Sequence, residues 1–317
     1  MDYQEFCQYI CEHMKDYLPE EKQKLDFQMM EVVKKNQGKM NGMRVIDEEN
    51  KIAPIIYLQP SYVKYTLGVP LEPLLQEIAA TYLKAAEETV RINRDKLEEF
   101  FPDMDTFDKQ HVLESVIPSL LRPDMNQGLL QEIPHRSFHN LEIVYQILMH
   151  EDEKITQTVS VTNSYLKYSG IKEEEMYQAA LKNFADMFPY QLHSMEFMLQ
   201  KLLGIESRED FLGKGIDCLG NDAGMYGATY LIIPEVMKEV GDRLGGSFVI
   251  IPTSIHEMAV IKEGLPIDYE KVVELVQRSN QETLPMDEML SDTVFFYDRS
   301  SEKLLPVRDN GQDLRLK

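Results

Sequence analysis

Residues 25–67 read LDFQMMEVVKKNQGKMNGMRVIDEENKIAPIIYLQPSYVKYTL, and the period of this stretch decides the fold. Three runs rich in Val, Ile, Tyr and Met are separated by Asn36-Gln37-Gly38, Asn41-Gly42 and Glu49-Asn50. Polar and glycine pairs of this kind tolerate the left-handed backbone of tight turns, so the stretch predicts a small antiparallel meander.

The flanks have a different period. On the N-terminal side, Tyr3, Phe6, Cys7, Ile10, Met14, Tyr17 and Leu18 recur at three and four residues, one stripe of an amphipathic helix that Pro19 helps to stop. On the C-terminal side a long helix opens near Pro70 and Glu72, with Leu71, Leu74, Leu75, Ile78, Ala79, Tyr82, Leu83 and Ala86 on one face. It ends before Phe101-Pro102.

Beyond residue 105 helical and extended periods mix. Thr106 to Leu121 has helical spacing, but Pro118 lacks an amide hydrogen and clashes with a preceding turn, so a short helix gives way to an extended piece over Val116 to Leu121. Leu141 to Met149 and Thr156 to Val161 read as strands joined at Glu151 to Lys154. A short turn of helix stops at Gly170, and a strong helix runs from Lys172 to Phe188 with Glu173, Glu174 and Glu175 at its positive end. Ser207-Arg208-Glu209-Asp210 reads as a capping box for a short helix through Leu212. Gly213 to Gly227, with five glycines, reads as the loosest part of the chain. It leads into a helix ending near Leu244-Gly245-Gly246 and a strand pair, Ser247 to Pro252 and Met258 to Lys262. A helix from Tyr269 to Asn280 should bury Val272, Val273, Leu275 and Val276, and a hairpin of Thr293 to Tyr297 with Leu304 to Val307 closes the chain. Because helices and strands mix without strict alternation, the expected class is α+β. The expected division is 1–105 (helix, β-meander and long helix) and 106–317 (a mixed α+β domain).

Composition narrows the function. The 317 residues carry 54 Asp and Glu against 33 Lys and Arg, a net charge of −21. Residues 1–150 hold 25 acidic and 16 basic side chains (net −9) and residues 151–317 hold 29 and 17 (net −12), so the acidity is even. Nucleic-acid affinity comes largely from Lys and Arg on phosphate, and this field repels both phosphate and anionic lipid. The densest basic group, Arg91, Arg94 and Lys96, runs straight into Glu98 and Glu99 and reads as a solvated helix face. Cys7, Cys11 and Cys218 are too few for a disulfide framework, which points to a reducing, cytoplasmic setting. No apolar run reaches bilayer length, and no charged segment leads into an apolar stretch at the N-terminus. Met29, Met30, Met195 and Met198 fall at apolar positions and read as adaptable core filling. No nucleic-acid or membrane partner is expected.

Four groups of residues suggest chemistry. Ser254, His256 and Glu257 form the densest polar set in an apolar strand pair; a histidine that takes a hydroxyl proton while a carboxylate orients it is the logic of nucleophilic catalysis. On a strand, however, Ser254 and His256 share a face and Glu257 opposes them, and no nucleophile elbow precedes the serine, so a polar hairpin turn is the preferred reading. A zinc helix starting at His256-Glu257 fails because Val260 stands where the second histidine is needed. His135 and His139, with Glu142 nearby, would meet on a metal only from a helix, and Pro134 argues for an irregular loop. Asp103 to Glu114 mimics the ends of a calcium loop, but Asp108 replaces its central glycine and Phe107 a ligand, leaving helix capping by Asp105 or Thr106. Gly213-Lys214-Gly215, Gly220, Gly224 and Gly227 satisfy neither phosphate-loop spacing and read as turns around a short strand. Asn221 and Asp222 sit among them in a polar loop, so any site is expected where that loop meets His256, with Asp292 as a further candidate carboxylate.

Three longer segments carry a resemblance. They are Val159-Ser160-Val161-Thr162-Asn163 before Gly170-Ile171; Asn221-Asp222-Ala223-Gly224-Met225-Tyr226-Gly227-Ala228 followed by Phe248 to Glu257; and Leu290-Ser291-Asp292-Thr293-Val294-Phe295-Phe296-Tyr297-Asp298-Arg299. Together they resemble a domain-of-unknown-function family of anaerobic, mostly gut-dwelling Firmicutes over nearly the whole chain, and more distantly a second uncharacterised Firmicutes family. The resemblance implies a cytoplasmic protein and supplies no catalytic residues. The first expectation is a non-enzymatic binding or regulatory protein acting through a protein partner or small ligand, without cofactor or metal. The alternative is an unrecognised hydrolase using His256 with nearby carboxylates.

Overall fold

The computed structural model describes residues 1–36, 38–46, 54–91, 108–152, 155–204, 210–266, 268–282, 284–309 and 312–313. The class is α+β, with every strand pairing among the described residues antiparallel. The chain divides into two compact units, Met1–Thr106 and Phe107–Lys317.

In the first unit, helix α1 (Tyr3–His13) starts at a capping box: Asp2 accepts the Glu5 amide, and Glu5 accepts the Asp2 amide. Strands β1 (Asp26–Lys34), β2 (Gly38–Ile46) and β3 (Ile55–Tyr57) form the meander in sequence order. Helices α2 (Gln59–Thr66) and α3 (Leu71–Arg91) follow. Phe6, Cys7 and Ile10 from α1, Phe27, Met43, Val45 and Ile56 from the strands, and Leu74, Leu75, Ile78, Ala79 and Tyr82 from α3 make one core. Removing each such large apolar side chain from water is worth about 1.5–3 kcal/mol, which binds helices and sheet into one unit. Asn41-Gly42 proves to be mid-strand and not a turn. The hairpin turns earlier, at Asn36 (φ 58°) and Gly38 (φ 69°), and Gly42 is needed because a Cβ there would stand 2.4 Å from the Ile55 side chain on β3. The Glu49-Asn50 turn lies outside the described residues.

The second unit begins with α4 (Lys109–Ser115) and β4 (Val116–Leu121), then α5 (Gln127–Leu130), β5 (His135–Phe138), β6 (Leu141–Asp152) and β7 (Ile155–Ser160). These strands form a four-stranded sheet in which β6 pairs with β4 on one side and with β5 and then β7 on the other. Pro118 is tolerated because β4 is an edge strand. Asp108 caps α4 by accepting the Gln110 amide; Asp105 and Thr106, the expected caps, lie outside the described residues. His135 and His139 occupy no irregular loop. His135 lies in β5, and His139 (φ 53°) with Asn140 makes the two-residue turn into β6. Helices α6 (Asn163–Ser169), ended by left-handed Gly170, and α7 (Glu173–Met187) come next.

Strands β8 (Tyr190–Ser194), β9 (Ile216–Asn221), β10 (Phe248–Pro252), β11 (Met258–Lys262), β12 (Val294–Asp298), β13 (Lys303–Asp309) and β14 (Gln312–Asp313) make a seven-stranded sheet in the order β14-β13-β12-β10-β11-β9-β8. Between them lie α8 (Met195–Leu202), a 3-10 segment Gly227–Ile232, α9 (Pro234–Leu244) and α10 (Tyr269–Glu282). Phe248, Ile250, Met258, Val260 and Leu219 face a core shared with α7, α9 and the 3-10 segment, while Val249, Ile251, Ala259 and Ile261 face Val273 of α10. Both faces of the sheet are covered, which is why β10 is apolar at every position.

Three expectations are corrected here. The glycine-rich stretch is not loose, because β9 within it pairs on both sides. Leu275 is not buried: α10 offers the sheet Val273, with Val272 partly buried, and Leu275 points to solvent. Met195 and Met198 are no core fillers either, since α8 follows an edge strand and leaves them exposed with Leu199 and Leu202. The capping box over 207–209 lies outside the described residues, and Asp210 to Leu212 is not helical.

Candidate functional site

Two loops of the second unit carry most of the sequence candidates, and they meet. Strand β9 ends at Asn221, whose carbonyl accepts the Gly224 amide (3.0 Å) to close a turn. The Asn221 side chain braces that turn from inside: Nδ2 donates to the Met225 carbonyl (2.7 Å) and to Tyr230 Oη (3.2 Å), and Oδ1 accepts the Met225 amide (3.2 Å). The turn delivers Tyr226 in the left-handed region (φ 51°), uncommon for an aromatic residue and costing of order 1–2 kcal/mol.

From there the loop docks on the β10–β11 connection. The Tyr226 amide donates to His256 Nδ1 (3.2 Å), the Gly227 amide to the His256 carbonyl (2.9 Å) and the Ala228 amide to the Ile255 carbonyl (3.2 Å). The two backbones approach so closely that a Cβ on Gly227 would fall 2.2 Å from the His256 oxygen and 3.0 Å from Gly220 Cα. Tyr226 Oη shares a hydrogen bond with Thr158 Oγ1 of β7 (3.1 Å), tying the junction to the four-stranded sheet. Burial pushes the Tyr226 phenol up from its ordinary value.

Ser254 is buried, and its Oγ accepts the amides of His256 (2.9 Å) and Glu257 (3.2 Å), the geometry of a serine-closed turn. Thr253 reinforces it, with both its amide and Oγ1 donating to the Glu257 carbonyl. The Ile255 amide donates to the Glu288 carbonyl (2.9 Å). An Nδ1 that accepts an amide leaves Nε2 as the ring's donor nitrogen.

The outlying candidates separate. Glu257 is exposed at the end of the turn, and exposed Asp222 accepts Gln191 Nε2 (3.2 Å) from β8. Exposed Asp292 takes no part in the junction's hydrogen bonds. It lies between Ser291 and Thr293, whose hydroxyls accept from Asn140, and its charge helps raise the Arg122 guanidinium above its ordinary value, after the larger effect of Asp124. His135 Nδ1 meets the Ile133 carbonyl. Among the described residues, no group of three or more His, Cys, Asp or Glu side chains is placed to hold a metal ion. Arg94 and Lys96 lie outside the described residues, as does the Arg91 side chain.

Sequence reasoning missed a second polar group, at the β8 edge. Asp210 accepts the Ser194 amide (2.9 Å) and meets His193 Nδ1 (2.8 Å), while Arg243 of α9 donates to the Leu192 carbonyl (3.1 Å). Asp217 of β9 is fully buried, and burial pushes its carboxyl up to about 6. A signal was present: strand alternation puts Asp217 on the same face as Leu219, a lone carboxyl on an apolar face. Tyr226 and Gly227 carried a fainter one, since nothing in Gly-Met-Tyr-Gly says which residue turns left-handed.

A family model described as "Family of unknown function (DUF5688)" matches residues 3–299. No curated protein and no solved structure matches the chain.

Proposed function

The chain belongs to DUF5688, a family of unknown function, and from that premise we propose that it is a non-enzymatic binding or regulatory protein acting through a protein partner or small ligand. The observation that carries this reading is the use of Ser254: its oxygen already accepts two backbone amides, in a turn where His256 Nδ1 accepts a third. A nucleophile needs its oxygen directed at substrate with a base positioned to take its proton. Here both groups serve the backbone. Two partly buried thiols point the same way, since burial pushes Cys218 up to about 11 and Cys11 up to about 12, where the nucleophilic thiolate is scarce at neutral pH.

The outward groups of the junction, Asp222, Glu257 and the partly buried Gln191, are those available to a ligand. A reducing compartment fits the three free cysteines, and the acidic charge disfavours nucleic acid. No helix among the described residues is long and apolar enough to cross a membrane. We take the two compact units as separate domains divided near residue 105. The test is turnover of a panel of activated esters and amides by the wild type, Ser254→Ala and His256→Ala. Equal background rates for all three support the reading, and a wild-type rate abolished by either substitution overturns it.

A further inference from the structure

Asp217 sits on β9 between Ser194 of β8 and Val260 of β11, on the face that packs against α9, and it has no exposed surface. Its Oδ2 accepts one hydrogen bond, from the Gly213 amide (2.9 Å), and its Oδ1 is buried without a hydrogen-bond partner. Gly213 holds a left-handed conformation (φ 68°) in a stretch from Asp210 to Gly215 that has no helix or strand of its own. Two carboxyls therefore hold this stretch. Asp210 fastens it to the β8 edge through the Ser194 amide and His193, and Asp217 fastens it to the sheet through Gly213.

The charges around Asp217 come from each neighbouring element. Asp210 repels a carboxylate there, and Arg243 of α9 attracts it while also donating to the Leu192 carbonyl. Lys262 of β11 runs its side chain past Gly213 and the end of α9 at Gly245 and Gly246. Cys218 faces the opposite side of β9, and its thiol is raised by burial first and then by the charges of Glu257 and Asp217. The Gly213 hydrogen bond by itself favours the carboxylate, but a buried carboxylate with a single N–H donor lacks most of the hydrogen bonds it would make in water; burial outweighs that bond, so charge on Asp217 opposes the closed arrangement.

We propose that Asp217 is a proton-operated latch: the neutral acid keeps the Asp210–Gly215 stretch seated on the sheet, and ionisation lifts it and uncovers the β8 edge. Lifting this stretch admits water to the carboxylate without breaking a strand pairing. It also frees the Ser194 amide, a donor on an edge where another chain can pair. The sign follows from the carboxyl being raised from 3.8 to about 6 when closed. The closed form gains most below 3.8 and loses that advantage as pH rises through about 6. Linkage then raises the opening equilibrium about tenfold between pH 5 and pH 7.5. The latch stands independently of the binding reading.

The test is amide hydrogen exchange of the full chain at both pH values, corrected for intrinsic exchange, with the central strand β10 as internal reference. Gly213 and Ser194 should lose about tenfold in protection in the wild type and show no pH response in Asp217→Asn. An identical response in both proteins, or none in the wild type, overturns the latch. Should the variant not fold, a carbon-13 titration of the wild-type Asp217 carboxyl decides. An inflection near pH 6 accompanied by the Gly213 amide supports the latch, and a carboxyl still ionised at pH 4 overturns it.

Discussion

Replacing Gly227 by alanine tests the junction where the two candidate loops meet. The added methyl would stand 2.2 Å from the His256 oxygen, about 1 Å inside ordinary contact, and both close neighbours are backbone atoms with no rotamer to yield. Relief requires the loops to separate by roughly that distance, which stretches the 2.9 Å bond from the Gly227 amide beyond hydrogen-bonding range and strains the 3.2 Å bonds from Tyr226 and Ala228. Overpacking costs about 1–3 kcal/mol and each lost buried hydrogen bond about 1 kcal/mol more, so a loss of about 3 kcal/mol is expected. Gly224 supplies the control in the same loop: it is left-handed (φ 63°) with nothing within 4 Å of a Cβ, so Gly224→Ala should cost only about 1–2 kcal/mol of backbone strain. Urea unfolding followed by circular dichroism reads both variants. Equal losses for the two, or a smaller loss for Gly227→Ala, would refute the close-approach argument.

Tyr145→Phe should destabilise the second unit by about 2 kcal/mol in the same assay, because the buried Tyr145 hydroxyl donates to Glu173, which also receives Arg136. An unchanged midpoint would mean that Arg136 alone satisfies Glu173. Leu202→Gln, at a side chain 82% exposed on α8, should change stability by no more than about 0.5 kcal/mol, and a larger loss in thermal unfolding would show that the residue is covered.

Much of this fold could be read from period alone. Pro118 separated α4 from β4 correctly, Gly170 ended α6, and the continuous apolar runs 248–252 and 258–261 behaved as strands buried on both faces. The errors share a cause: local pattern does not say what lies on the other side. Leu275 and Met198 occupy the apolar stripes of their helices, yet both remain exposed, and a stripe looks the same either way. Asn41-Gly42 carries a hairpin signature, but Gly42 answers a tertiary approach by Ile55. The meeting of the 221–227 loop with His256 was legible in outline because both segments are polar punctuation between apolar strands. The polar hairpin turn at Ser254 was legible too, although in sequence a turn-closing hydroxyl and a nucleophile are the same residue.

That distinction can be measured on the native protein. Intact-mass analysis after incubation with a fluorophosphonate, a reagent that phosphonylates activated serine hydroxyls with loss of fluoride, reports directly on Ser254. The account predicts an unmodified mass in the folded chain, because the Ser254 oxygen is buried and holds the amides of His256 and Glu257. A stoichiometric adduct mapped to Ser254, and lost in His256→Ala, would contradict it.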